Sequence, residues 1–312
     1  MSKDIDEPTK ILVTGMYGFI ATNFFQFLAR EYPNVICYGF DKRYEQDITN
    51  TEQINKAVEG KDLVFHLAAC THVDKSIPDP YPFHWNNYIG TFRVLEACRK
   101  HNVKMINIST SEVYGTAQYI PQDEKHPLNP QSPYAASKTA ADRLCYANFI
   151  TYEQDVVTVR PFNQYGMYQA VEKAIPQFLN NASKGLALPV YGEGKASRDW
   201  LFVQDTVSGI WESRKLDAGE VINLCTGRDY TLIELVKIIK DILSSKSMIV
   251  NVTETADRPG HVMRLCGDYS KVKKLLGWKP KTSLEVGIRK SAEWYFTNGM
   301  IMPPSNYLFR GD

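Results

Sequence analysis

No two cysteines in this 312-residue chain stand at a metal-ligand or CxxC spacing; Cys37, Cys70, Cys98, Cys145, Cys225 and Cys266 are scattered. That pattern argues against a zinc site, a dithiol redox centre and a disulfide framework, and it suits reduced thiols in the cytoplasm. An excess of either charge is also missing. Lys+Arg number 36 against Asp+Glu 35, a formal charge of +1, so no overall field favours nucleic acid or an anionic membrane, and an anionic ligand has to be held by local cations. No run approaches the ~20 apolar residues of a membrane span. The opening MSKDIDEPTK is charged and has no apolar core segment, so no signal peptide is expected. Repeats and low-complexity linkers are absent too. The expectation is a soluble cytoplasmic protein with no metal, no nucleic acid and no membrane among its partners.

The chain does have the apolar content for a large core, 44% hydrophobic. Apolar, β-rich runs alternate with stretches at helical spacing: ILVTG then 23–31, VICYGFD then 51–59, LVFHLAA then 87–100, KMINIST then 133–152, and finally DVVTVRPF. Strands that are apolar throughout, rather than at every second residue, belong to parallel sheets covered on both faces. The fold class expected is α/β, a doubly wound parallel-sheet Rossmann domain with a smaller C-terminal α/β lobe. The boundary falls near 165, giving a dinucleotide-binding unit over 1–165 and a substrate lobe over 166–312. The smaller lobe reads as Gly/Pro-punctuated segments, an amphipathic helix at 232–243 and a closing helix at 284–296. A segment near 200–226, with VINLCTG as a strand, is able to rejoin the main sheet.

Two local patterns carry chemistry. In ILVTGMYGFIATNFFQFL, Gly15 and Gly18 follow a strand and Ala21 opens a helix. The turn permits close approach of a pyrophosphate, and the helix N-terminus offers free N–H groups to the anion. Asp41 closes the second strand, where a carboxylate binds ribose hydroxyls and repels a 2'-phosphate. That favours NAD over NADP. Farther on, Ser132 and Pro133 make a strong helix start, and Tyr134 and Lys138 fall at i and i+4 on one face. A phenol is a poor base at neutral pH, so the expectation is a Tyr134 pKa lowered by the ammonium and the nicotinamide charge until it can take a sugar-hydroxyl proton. Between the two patterns, MINISTSEVYG places Thr110, Ser111 and Glu112 at the tip of a buried strand.

Taken together, TGMYGFIATN, HLAACTHVDKSI, NNYIGT, STSEVYG, SPYAASK, RPFNQYGMYQAVEKAIP, LPVYGEGKASRDW, DRPGH and LLGWKP resemble the extended short-chain dehydrogenase/reductase family. Within it they are most similar to the nucleoside-diphosphate-glucose 4,6-dehydratases. The resemblance implies a tightly bound NAD touched by Gly15, Tyr17, Gly18, Phe19, Ile20, Asp41, Lys42, Asp47, Ile48, Leu67, Ala68, Ala69, Thr71, Asn87, Tyr134 and Lys138. For a nucleotide-sugar substrate it implies His72, Thr110, Asn163, Lys173, Arg198, Asn223, Arg258 and His261. It also implies a homodimer formed by the helices that begin near Asn87 and Pro133.

The mechanism implied for dTDP-glucose or UDP-glucose has three parts: oxidation at carbon 4 assisted by Tyr134, Lys138 and Thr110, removal of the carbon 5 proton by Glu112 with loss of water, and hydride return to carbon 6. One departure matters. Ser111 stands where the dTDP-glucose enzymes usually carry an aspartic acid that protonates the departing hydroxyl, and a serine is far too weak an acid for that unaided. GDP-mannose dehydratases resemble this chain in having Thr-Ser-Glu. So do UDP-glucuronate decarboxylases, which leaves decarboxylation open, along with 4-epimerisation and a non-catalytic NAD-bound sensor or scaffold. Only five residues separate Asp41 from Asp47, so a more open adenosine edge is expected. Trp200 reads as core rather than ligand.

Overall fold

The structure, a computed structural model, describes residues 9–252 and 259–304. Its strands are β1 (Lys10–Thr14), β2 (Ile36–Phe40), β3 (Leu63–His66), β4 (Lys104–Ile108), β5 (Val156–Pro161), β6 (Asn163–Tyr165), β7 (Leu188–Tyr191), β8 (Ser197–Phe202), β9 (Val221–Leu224), β10 (Asp229–Thr231), β11 (Ile249–Val252) and β12 (Arg264–Leu265). The helices are α1 (Phe19–Glu31), α2 (Thr51–Val58), α3 (Val73–Ser76), α4 (Tyr81–Phe83), α5 (Gly90–His101), α6 (Pro133–Tyr152), α7 (Ala174–Ser183), α8 (Val203–Glu212), α9 (Leu232–Leu243), α10 (Ser270–Leu276) and α11 (Leu284–Thr297).

Six strands form one parallel sheet in the order β2-β1-β3-β4-β5-β9. The continuous apolar runs have the cause expected of them, because β3 and β5 are buried at every residue. In β1, Ile11 and Val13 pack with Phe24 and Leu28 of α1 and Val207, Ile210 and Trp211 of α8. Leu12 points the other way, to Ile54 and Val58 of α2, Leu95 and Cys98 of α5, and Cys145 of α6. The chain crosses from β2 back over β1 to β3, so a topological switch opens at the carboxyl ends of β1 and β3. Open α/β sheets bind their ligands at such a point.

The second core lies in the smaller lobe. Phe178 and Leu179 of α7, Leu235 and Ile239 of α9, and Ile288 and Tyr295 of α11 pack there against Leu188 and Val190 of β7. Strand β8 pairs with β6, β10 and β12, while β7 pairs with β11. VINLCTG rejoins the large sheet as β9, hydrogen-bonded in parallel to β5, and α8 packs on the same face as α1.

Several boundaries differ from the sequence expectation. Helix α1 begins at Phe19 rather than Asn23, directly after the glycine turn. The helix expected from Asn87 enters through a π-helical stretch, His84–Ile89, before α5 begins. Helices α7, α8 and α10 are absent from the sequence reading. Pro176 obscures α7, although it lies in the first turn, where an intrahelical N–H is not needed.

Candidate active site

One cleft, of about 740 Å³, runs along the carboxyl ends of β1 to β5. At one end stands the glycine loop. Gly15 has φ +74°, and a Cβ there would meet the Ala68 backbone at 2.8 Å; only glycine fits both constraints. The Gly18 N–H closes the turn on the Gly15 carbonyl at 2.9 Å. Gly18 also caps α1 with no side-chain hydrogen bond, which leaves the first-turn N–H groups available to an anion. The Asp41 carboxylate accepts from the Tyr17 N–H at 3.1 Å and the Arg43 N–H at 2.9 Å. Tyr17, Phe19, Ile20, Asp41, Lys42, Asp47 and Ile48 all line the cleft. Leu67, Ala68, Ala69 and Thr71 form its floor, and their backbone is fixed from below. His66, buried between the Thr14 hydroxyl at 2.8 Å and the Thr91 hydroxyl at 3.0 Å, is pushed down to about 3 by burial and the nearby Lys138 charge, so it is neutral. A glycine cradle, free helix N–H groups and a carboxylate at the second strand's end fit a dinucleotide.

The reactive groups stand at the middle of the cleft. Thr110, Ser111, Glu112, Tyr134 and Lys138 line it together. Strand β4 ends and a tight 3-10 turn, Ser111–Tyr114, begins; the Thr110 hydroxyl caps that turn by accepting from the Glu112 N–H at 3.2 Å. The same side chain favours the charged form of the Tyr134 phenol. Thr110 therefore anchors the backbone of Glu112 and acts on the phenol of Tyr134. Helix α6 begins as its sequence predicts, with the Ser132 hydroxyl accepting from the Ala135 N–H at 3.1 Å. The Lys138 ammonium donates to the Ile108 carbonyl at 2.7 Å.

Tyr134 corrects one expectation. Its phenol is not lowered in the protein alone: burial pushes it up to about 12, the Glu112 charge adds to this, and the Thr110 hydrogen bond opposes it. Burial meanwhile brings Lys138 down to about 8. The phenolate is stabilised only when a positive charge enters the cleft beside it, as a nicotinamide would provide.

The recognition residues divide. Asn163, Lys173 and Arg198 line the cleft. The Asn163 amide oxygen is buried there with no hydrogen-bond partner among the described residues, as expected of a group awaiting a ligand. Lys173 is held below the ordinary ammonium range, chiefly by burial. His72 lies 3.7 Å from the Glu172 carboxylate; burial, then Lys173 and Lys75, hold its imidazole down. Three residues fall elsewhere. Asn223 is fully buried outside the cleft, accepting from the Tyr114 hydroxyl at 2.7 Å and donating to the Gln122 carbonyl at 3.0 Å, so its amide is already spent on the fold. Asn87 is also fully buried, bonded to the Cys70 backbone and to the Ser137 hydroxyl; it ties the cleft floor to α6 rather than lining the cleft. His261 does not line the cleft, and Arg258 lies outside the described residues.

The cleft also contains residues that sequence reasoning passed over. Trp200, read as core, does pack against the core of the smaller lobe, and it also lines the cleft with its indole N–H buried and unpartnered among the described residues; Gln164, Gln169 and Glu172 join it there. They come from irregular chain and from the small lobe, where no spacing marks them. An unpaired N–H on a β8 residue next to Arg198 is visible only after folding. Among the described residues no group of three or more potential metal ligands clusters, and no described helix is long and apolar enough to cross a membrane.

A fold and cleft of this kind define the extended short-chain dehydrogenase/reductase class. Within that class the sequence matches the GDP-mannose 4,6 dehydratase family over residues 39–291, and the chain belongs to that family. It is 36% identical to a dTDP-glucose 4,6-dehydratase of Actinoplanes sp., over 93% of this chain and 98% of that protein. To dTDP-glucose 4,6-dehydratase 1 of Escherichia coli it is 34% identical, over 93% of each. The crystal structure of the dTDP-glucose 4,6-dehydratase of Streptomyces venezuelae, with NAD and TYD bound, superposes with a TM-score of 0.87 at 34% identity, covering 94% of this chain and 99% of that one. A UDP-glucose 4-epimerase from Thermotoga maritima, solved with UDP-glucose, gives 0.85 at 28% identity, covering 93% and 99%.

Proposed function

We propose that this protein is an NAD-dependent sugar-nucleotide 4,6-dehydratase, a hydro-lyase that converts dTDP-glucose or UDP-glucose to the 4-keto-6-deoxy sugar. The observation that carries the reading is the grouping of Thr110, Glu112, Tyr134 and Lys138 in one cleft with the glycine loop, in a chain whose relatives at 34–36% identity are dTDP-glucose 4,6-dehydratases. Gly15, Gly18, Asp41 and the 67–71 floor would hold NAD, which when bound accepts a hydride from carbon 4 and returns it to carbon 6.

The protein's own residues manage the protons. Tyr134, whose charged form the neighbouring Thr110 side chain favours, takes the proton of the 4-hydroxyl and afterwards gives it up to solvent. Glu112 removes the carbon 5 proton, made acidic by the neighbouring ketone. The carboxylic acid so formed gives that proton to the departing 6-hydroxyl, and water leaves. Ser111, 2% exposed, needs no acidic role in this sequence: one carboxylate serves as base and then as acid. A solvent proton restores carbon 5. Lys173 and Arg198 would meet the diphosphate, and the unpaired Asn163 amide oxygen would accept from a sugar hydroxyl or a nucleobase N–H.

Helix α6 exposes Tyr146, Ile150 and Tyr152, and the segment leading into α5 exposes Tyr81 and Trp85. These aromatic and aliphatic side chains support a homodimer, which mass measurement in solution would check. The unpaired thiols support a cytoplasmic location.

The test of the activity incubates the purified protein separately with dTDP-glucose, UDP-glucose, GDP-mannose and UDP-glucuronate. Loss of one water from a glucose substrate without build-up of NADH is expected; loss of carbon dioxide from the glucuronate would overturn the assignment. The Glu112→Gln variant should lower product formation by about 10²- to 10⁴-fold while reduced cofactor accumulates on the protein. Normal product formation by that variant would remove Glu112 from the mechanism.

A further inference from the structure

The short connection from Asp41 to Asp47 is an ordered turn. It folds into a 3-10 turn, Lys42–Tyr44, capped by Asp41 and closed by Glu45 in the left-handed region. The Gln46 side chain accepts from the Asp41 N–H at 3.0 Å, and Lys42 lies 3.5 Å from Asp47. This brace carries Tyr44 back toward the glycine loop. The Tyr17 hydroxyl donates to the Tyr44 hydroxyl at 2.7 Å, and the two rings stand 5.4 Å apart. The Arg43 guanidinium lies 5.3 Å from the Tyr17 ring centre, within cation–π range. Tyr17 and Arg43 line the cleft, whereas Tyr44 stands outside it and remains largely exposed at 63%.

An exposed phenol ordinarily bonds to water. Here it spans the two loops that a dinucleotide would have to separate in order to leave: the glycine loop after β1 and the turn after β2. Asp41 joins the same two loops from inside, through the Tyr17 and Arg43 N–H groups. We propose that Tyr44 is a cofactor-retention residue, a positioning group that acts through Tyr17 to latch the two loops over the adenosine half of the dinucleotide. The inference rests on the NAD-dependent reading above. It also has a chemical logic there, because a cofactor that is reoxidised within each turnover never has to be released.

The test measures NAD dissociation from the full chain by stopped-flow displacement, for the wild type, Tyr44→Phe, Tyr17→Phe and the double variant. Each single variant and the double should release NAD about 3- to 10-fold faster, the size of one exposed neutral hydrogen bond. The three should agree with one another, because all delete the same bond. The thermal unfolding midpoints of the NAD-free proteins should fall by no more than about 4 °C, the size of the same single bond. Release from Tyr44→Phe at the wild-type rate, or additive effects in the double variant, would overturn the latch. A wild-type protein that fails to bind NAD would instead remove the underlying reading, and the latch with it.

Discussion

The middle of the cleft and its adenosine rim are built on opposite plans. In the middle, Tyr134 is 8% exposed, Lys138 3% and Ser111 2%, and the Lys138 ammonium is fixed by the Ile108 carbonyl. The rim is made of exposed side chains, Lys42, Arg43 and Tyr44, with Lys42 paired to Asp47 and with Arg43 and Tyr44 held to Tyr17 of the glycine loop. Chemistry requires fixed distances between reacting atoms, and a close-packed interior supplies them. Retention of a cofactor tolerates a rim that opens and closes. Asn163, Lys173 and Arg198, the residues proposed to meet the substrate, lie between these extremes, half-buried.

Breaking the buried middle should cost most. Tyr134→Phe keeps the ring and removes the base, so turnover should fall by about 10²- to 10⁴-fold, read as loss of product and of any transient NADH. A smaller effect is expected at Lys173. Lys173→Ala should lower kcat/KM by about 10- to 100-fold, the size of one charge-assisted contact, mostly through KM. An equal loss in kcat would place Lys173 with the buried group instead.

The floor beneath the middle gives a pH test. His66 has a folded value of about 3, below the ordinary imidazole value, so the unfolded chain binds the extra proton first. The stability it contributes is present above about pH 6.5 and is lost as pH falls toward 3, with a slope approaching about 1.4 kcal/mol per pH unit. Urea midpoints measured across that range should show the slope, and His66→Gln should flatten it. The smallest effect is expected at Ser111. Ser111→Ala should change the rate of water loss by no more than about 3-fold if Glu112 both removes and returns the proton. A loss approaching that of Glu112→Gln would make the serine part of the proton path.

Legibility in the sequence follows the same division. The span of α6 could be read because its start is local, Ser132 with Pro133, and α9 because its apolar face repeats at helical spacing. Gly15, Gly18, Tyr134 and Lys138 were legible for the same reason, since each pattern fits within one turn and one element. Asn87 and Asn223, which the resemblance implied as ligand contacts, lie outside the cleft with their amides bonded to Cys70, Ser137, Tyr114 and Gln122, partners that no local pattern reveals. Trp200, Gln169 and Glu172 gave no signal, because the packing of the second lobe against the sheet brings them to the cleft. The raised Tyr134 shows a further gap: Y-x-x-x-K spacing gives the pair, but not the burial that sets its protonation.

The most direct test of the account is turnover of dTDP-glucose in deuterium oxide, followed by mass and proton spectra of the product. Elimination by Glu112 with solvent return predicts a 4-keto-6-deoxy product that has lost one water and carries deuterium at carbon 5, with no net NADH. An intact glucose ring inverted at carbon 4, or a dehydrated product without deuterium at carbon 5, would contradict it.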